Sequence, residues 1–136
     1  MEEAERTEHL EWLEALPLLQ EQIAVTIYKL CQADADGNPE ATLEDYAEAI
    51  DRLPPVLAAM KKLPVPREKA LQEAKRGYEK GLDTLLRAAH RGVALRSGEL
   101  PEEQARVQLA DVLFNVGVAA ELIQQAVKTV NEFVNR

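Results

Sequence analysis

Three side chains in this sequence have the chemistry of a nucleophile or a proton carrier: Cys31, His9 and His90. A cysteine nucleophile needs a base within hydrogen-bond reach, and the two histidines are the only imidazoles on offer. Cys31 falls at the end of the first helical segment and reads as a small core residue. It has no second cysteine to pair with, so it signals no redox compartment. His90, in Ala89-His90-Arg91, occupies the kind of helix-face position that a phosphorelay histidine takes. Its neighbours add nothing to that chemistry, and it reads as a surface histidine. No glycine-rich phosphate loop appears, and no Ser, His and Asp are spaced so that helix geometry would unite them.

Metal chemistry has two places to look. The run Asp34-Ala35-Asp36-Gly37-Asn38 puts oxygen side chains at the first, third and fifth positions, as at the start of an EF-hand calcium loop. The sixth position is Pro39 where that loop needs glycine, the eighth is Ala41, and the twelfth is Asp45, shorter than the bidentate glutamate. The run therefore reads as a capped turn without tight calcium affinity. A di-iron helical bundle would show Glu-x-x-His on two helices. Arg6 precedes His9 by three residues and Arg87 precedes His90, so neither fits. No cofactor or metal is expected.

Charge is the stronger signal. The net charge is −8, but it is unevenly spread. Residues 1–60 hold 14 acidic and 3 basic groups, whereas residues 61–96 hold 4 and 10. Lys69, Arg76, Lys80, Arg87 and Arg91 recur at steps of seven and four, which aligns them on one helix face. The plain reading of this stripe is a solvated face complementary to the acidic first helix. The sharper one is a site for an anion or an acidic partner. Glu73 and Asp83 interrupt it and no aromatics interleave, so neither base stacking nor nucleic-acid binding is expected.

The elements that carry these residues are helical. The 136 residues, 46% hydrophobic and only 4% aromatic, fit a single domain with a core of Leu, Val, Ile and Ala. Trp12, Leu16, Leu19, Ile23, Ile27 and Leu30 predict a first helix from about Glu8 to Ala33, with a kink at Pro17 near Leu16. Residues 34–41 form a loop. Thr42 is the expected N-cap of a second helix, with Asp45 at the capping-box position. Its stripe is Leu43, Tyr46, Ile50, Leu53, Leu57 and Met60, and Pro54-Pro55 should divide it into pieces at Leu43–Arg52 and Pro55–Leu63. A third helix follows from about Pro66 to Arg96, closed by Ser97-Gly98. The fourth starts at Pro101 and runs to the C-terminus, its apolar stripe being Leu109, Leu113, Val116, Ala120, Ile123, Val127, Val130 and Val134. Short connections and steps of four and three predict an all-α, antiparallel up-down four-helix bundle, its first and second helices kinked and its helices crossing at about 20°.

Two features point outward from that bundle. Helix 3 holds Gly77, Gly81 and Gly92, whose spacing suits close packing by another helix or, alternatively, an accessible ligand spot. Helix 4 carries a second apolar patch, Val107, Phe114 and Val118, on the side opposite its main stripe. Either the N-terminal segment covers it, through Trp12, or a second copy does. The acidic N-terminus lacks an apolar leader and no run of about 18 apolar residues stands out, so the expectation is a cytoplasmic chain free of membrane. The function expected is a non-enzymatic interaction protein, a homo-oligomer or the binder of a protein partner. The alternative is a small-molecule or anion binder using the basic, glycine-rich helix 3.

Overall fold

A computed structural model describes the backbone of residues 3–135 and the side chains of residues 12–135. His9 and Arg6 lie outside the described side chains. Among the described residues the chain forms α1 (Glu3–Leu30), α2 (Leu43–Lys62), α3 (Lys69–Ser97) and α4 (Glu102–Val134). These residues hold no strand, only an isolated bridge between Ala33 and Pro39. The four helices pack as an all-α bundle. α3 is its hub, making the most extensive contact with α4 and the next with α2. α1 leans on α2 and touches α3 and α4 least.

Local chemistry explains most boundaries. The Thr42 hydroxyl accepts from the Asp45 backbone N–H at 3.1 Å, and the Asp45 carboxylate accepts from the Thr42 N–H at 2.8 Å. This is the reciprocal box read from the sequence, with aspartate doing the work usually given to glutamate. Pro101 stands immediately before α4, where its missing N–H has no helical use. α1 ends at Leu30, earlier than expected. The Glu40 N–H donates to the Gln32 carbonyl at 2.8 Å and the Asp34 N–H to the Asn38 carbonyl at 2.9 Å, which pulls residues 32–34 into a hairpin-like turn. Cys31 is consequently exposed, not a core residue. α3 starts at Lys69, not Pro66, and Gly98 closes it with φ of −82°, so no left-handed cap forms there.

The prolines interrupt less than expected. α1 runs unbroken through Pro17, and α2 is one helix through Pro54 and Pro55. All three prolines lie on exposed positions, where water can satisfy the carbonyls that lose their helical donor. The division of α2 into two pieces is therefore corrected, and the expected kinks are not established.

The core stripes keep the expected period but are rotated. On α4 the buried residues are Leu109, Val112, Val116, Ala119, Ile123, Ala126, Val130 and Phe133. Leu113, Ala120 and Val127 are only half-buried, and Val134 is exposed. On α2 the same shift buries Ala49 and Val56 and leaves Ile50 and Leu57 half-buried and Leu43 exposed. The cause is close approach. A Cβ placed on Gly81 would lie 2.6 Å from Ile123 Cγ1 and 3.2 Å from the Ala119 carbonyl oxygen, and one on Gly77 would lie 3.4 Å from Ala126 Cβ. Gly92 likewise makes room for the Tyr46 ring of α2, which a Cβ would meet at 2.4 Å. The glycines of α3 are thus consumed by packing: Gly77 meets Ala126, Gly81 meets Ile123 and the Ala119 backbone, and Gly92 meets the Tyr46 ring.

Candidate interaction surface

The geometry of α4 sorts its residues into two opposite faces. Eight side chains point into the bundle, while Val107 and Phe114 are each 69% exposed and Val118 is 36% exposed on the far side. Ala110 and Gly117 are also exposed on this side and add no polarity to it. The three residues singled out in the sequence do share one surface. Trp12 does not cover it. That side chain is 1% exposed, and its ring sits 6.3 Å from the Tyr78 ring of α3 at an interplanar angle of 59°. The indole N–H is buried there with no hydrogen-bond partner among the described residues. Of the two covers considered for Phe114, the Trp12 one is excluded.

Gly117 is the odd member of the helical glycines. Nothing lies within 4 Å of where its Cβ would be. A glycine inside a helix costs about 1 kcal/mol relative to alanine. Packing explains Gly77, Gly81 and Gly92, but among the described residues no contact explains Gly117.

The basic stripe is equally exposed, and two of its five members have carboxylate partners. All five of Lys69, Arg76, Lys80, Arg87 and Arg91 face solvent. Arg87 pairs with Asp83 on its own helix at 3.0 Å, and Arg91 with Asp111 of α4 at 3.1 Å. Among the described residues these two pairs lie within α3 and between α3 and α4. A shallow groove of about 240 Å³ opens between α3 and α4, lined by Thr84, Arg87, Arg91 and Asn115. Sequence reasoning missed Lys75, which is 7% exposed and pairs with Glu79 at 3.0 Å. Its place among Leu71, Tyr78 and Leu82 on the core side of α3 was the available signal.

No match to the chain is found among protein-family models, curated proteins or solved structures.

The remaining candidates reduce to structural roles. The Asp34 carboxylate accepts from the backbone N–H groups of Asp36 and Asn38, each at 2.9 Å, and from the Asn38 side chain at 3.2 Å. The Asn38 N–H above all holds its pKa below the usual carboxylate range. The carboxylate serves the turn, with Gly37 at φ of +82° supplying the left-handed position. Arg96 at the end of α3 clamps this loop by donating to the Ala41 and Pro39 carbonyls, both at 3.1 Å. Partial burial of its sulfur pushes the Cys31 thiol up, which disfavours the thiolate a nucleophile needs. His90 is exposed. Among the described residues no three His, Cys, Asp or Glu side chains gather where they could hold a metal ion.

Two features were not foreseen. An apolar groove of about 490 Å³ runs between α1 and α4, lined by Ile23, Ile27, Tyr28, Ile123 and Val127. It exists because α1 stands off from α4, a tertiary property that no periodicity encodes. In addition, α4 is long and apolar enough, by length and composition, to cross a membrane, contrary to expectation. The same test is passed by the core helices of soluble bundles, and α4 has one face packed into the core.

Proposed function

We propose that this chain is a non-enzymatic interaction protein that works through the outer face of α4. The observation that supports the reading is Phe114, exposed beside Val107 and Val118 on a helix whose opposite face already fills the core. A phenylalanine left in water forgoes about 1.5–3 kcal/mol of burial, so a surface that groups it with two valines is suited to being covered. A net charge of −8 and the paired state of Arg87 and Arg91 favour a protein over a nucleic acid or an anionic bilayer as the cover. A cytoplasmic setting is the simplest one compatible with this use.

The second reading, an anion binder on α3, rests on the groove at Thr84, Arg87, Arg91 and Asn115. It is weaker because both arginines have carboxylate partners and because the α3 glycines are filled by α4 and Tyr46, leaving no glycine-lined ligand spot.

Phe114→Asp tests the first reading. Mass by light scattering, helicity by circular dichroism and a pull-down from the native host are compared for wild type and variant. The expected result is an associated species, either a second copy or another protein, that is lost in the variant while helicity stays unchanged. A variant that keeps every wild-type association would overturn the proposal.

A further inference from the structure

We infer that the occupant of this face is a second copy of the chain, its α4 running antiparallel to the first across a twofold axis, with Phe114 of each copy seated over Gly117 of the other. The inference rests on the reading of the outer face of α4 as an interaction surface and goes further by naming what lies on it.

Three observations carry it. The first is Gly117 itself, a helical glycine whose missing side chain leaves open space that nothing among the described residues enters. The other helical glycines each receive a neighbouring backbone or ring. By the same logic Gly117 has a visitor that is absent from the single chain.

The second is that the visitor's shape is present one turn away. Phe114 precedes Gly117 by three residues on the same face and projects into solvent. A protrusion and a hollow one turn apart are self-complementary when the helix meets an antiparallel copy of itself, because a twofold axis between them sets each ring over the other glycine. A parallel pair would instead set ring against ring and leave both hollows empty.

The third is charge. Glu103 stands eleven residues before Phe114, and Lys128 stands eleven after Gly117. Eleven residues are about three turns, so both lie on the outer face. The register that seats Phe114 over Gly117 also brings Glu103 of one copy opposite Lys128 of the other, at both ends of the contact. Both side chains are exposed, and neither makes an ion pair among the described residues. Between them the face carries one charge on its midline, Glu121, which this register sets against Ala110, so no like charges meet there.

The test is sedimentation equilibrium on the full chain across micromolar concentrations, with circular dichroism as the control for folding. The wild type is expected to dimerise. Gly117→Leu fills the hollow, and its Cβ meets nothing among the described residues within 4 Å, so it should keep full helicity and raise the dimer Kd about tenfold or more. Glu103→Lys and Lys128→Glu should each weaken self-association roughly two- to fivefold. Mixing these two variants should restore it, because the heterodimer again pairs opposite charges at both ends. A dimer insensitive to Gly117→Leu, or a mixture that associates no better than its parts, would sink the antiparallel register. A wild type that stays monomeric yet binds another protein through Phe114 would leave the interaction surface standing and remove the second copy. Binding of the monomer to phosphatidylcholine vesicles would remove it too, in favour of a lipid surface. A dimer that survives Phe114→Asp intact would overturn both readings.

Discussion

α4 meets its two neighbours in opposite ways. Against α3 the contact is built on two glycines, Gly77 meeting Ala126 and Gly81 meeting Ile123 and the Ala119 carbonyl, and the backbones come close. Against α1 the contact is sparse, and an apolar groove separates the two helices. α1 is instead fastened by a few large side chains, Trp12, Leu16, Ile23 and Leu30, with the Gln20 amide donating to the Tyr78 hydroxyl as its polar handle. Close seams of small residues fix geometry through backbone proximity, and any added atom is felt. A helix held by a few anchors is fixed only as firmly as the anchors are.

The largest expected effect comes from removing an anchor. Trp12→Ala should destabilise the protein by about 3–5 kcal/mol, and the damage should be uneven. Amide hydrogen exchange should speed up along α1 while the central amides of α3 and α4 keep most of their protection. Uniform loss of protection across all four helices would erase the contrast between the two sides of α4.

Overpacking the seam should act the other way. Gly81→Leu should destabilise by about 1–3 kcal/mol, since its Cβ alone already collides with Ile123. Chemical denaturation should show a lower midpoint with cooperativity retained, because α3 and α4 lose their common register together. A neutral or stabilised variant would mean that the seam can open without penalty.

The smallest effect sharpens the anchored side. Burial pushes the Tyr78 hydroxyl up to about 12. The folded form therefore holds this proton more tightly than the unfolded chain does. Its contribution is complete below the ordinary tyrosine range near 10 and is lost as pH rises from there through about 12. Tyr78→Phe should cost about 1 kcal/mol at neutral pH through the lost Gln20 hydrogen bond, and it should flatten the alkaline fall in stability. Denaturation at pH 9 and pH 11 checks both, and an equal alkaline fall in the variant would assign the loss to other groups.

Much of this arrangement is legible in the sequence. The four helices follow from apolar recurrence and from the turn residues between them. The Thr42 and Asp45 cap, the burial of Gly81 and the outward patch at Phe114 follow from residue type and spacing. The rotation of the stripes does not, because a periodicity read by hydrophobicity gives weight to Leu113 and Val127, whereas contact distance selects Ala119 and Ala126. The unbroken α2 was hidden for a related reason. A double proline is disruptive when its freed carbonyls are buried, and exposure is a tertiary fact. Cys31 went outward because a hairpin of backbone hydrogen bonds, with no sequence period of its own, ended α1 early. The α1 groove is equally invisible, since it records how far apart two helices settle.

Trp12 is the only tryptophan in the chain, and it sits at the contact between α1 and α3. The protein thus carries a built-in optical label at its most sparsely fastened helix. Its emission follows the docking of α1, while far-ultraviolet ellipticity sums over all four helices. Whenever α1 comes away first, the two signals part company on heating, and their separation measures how independent that helix is without any dye or added probe.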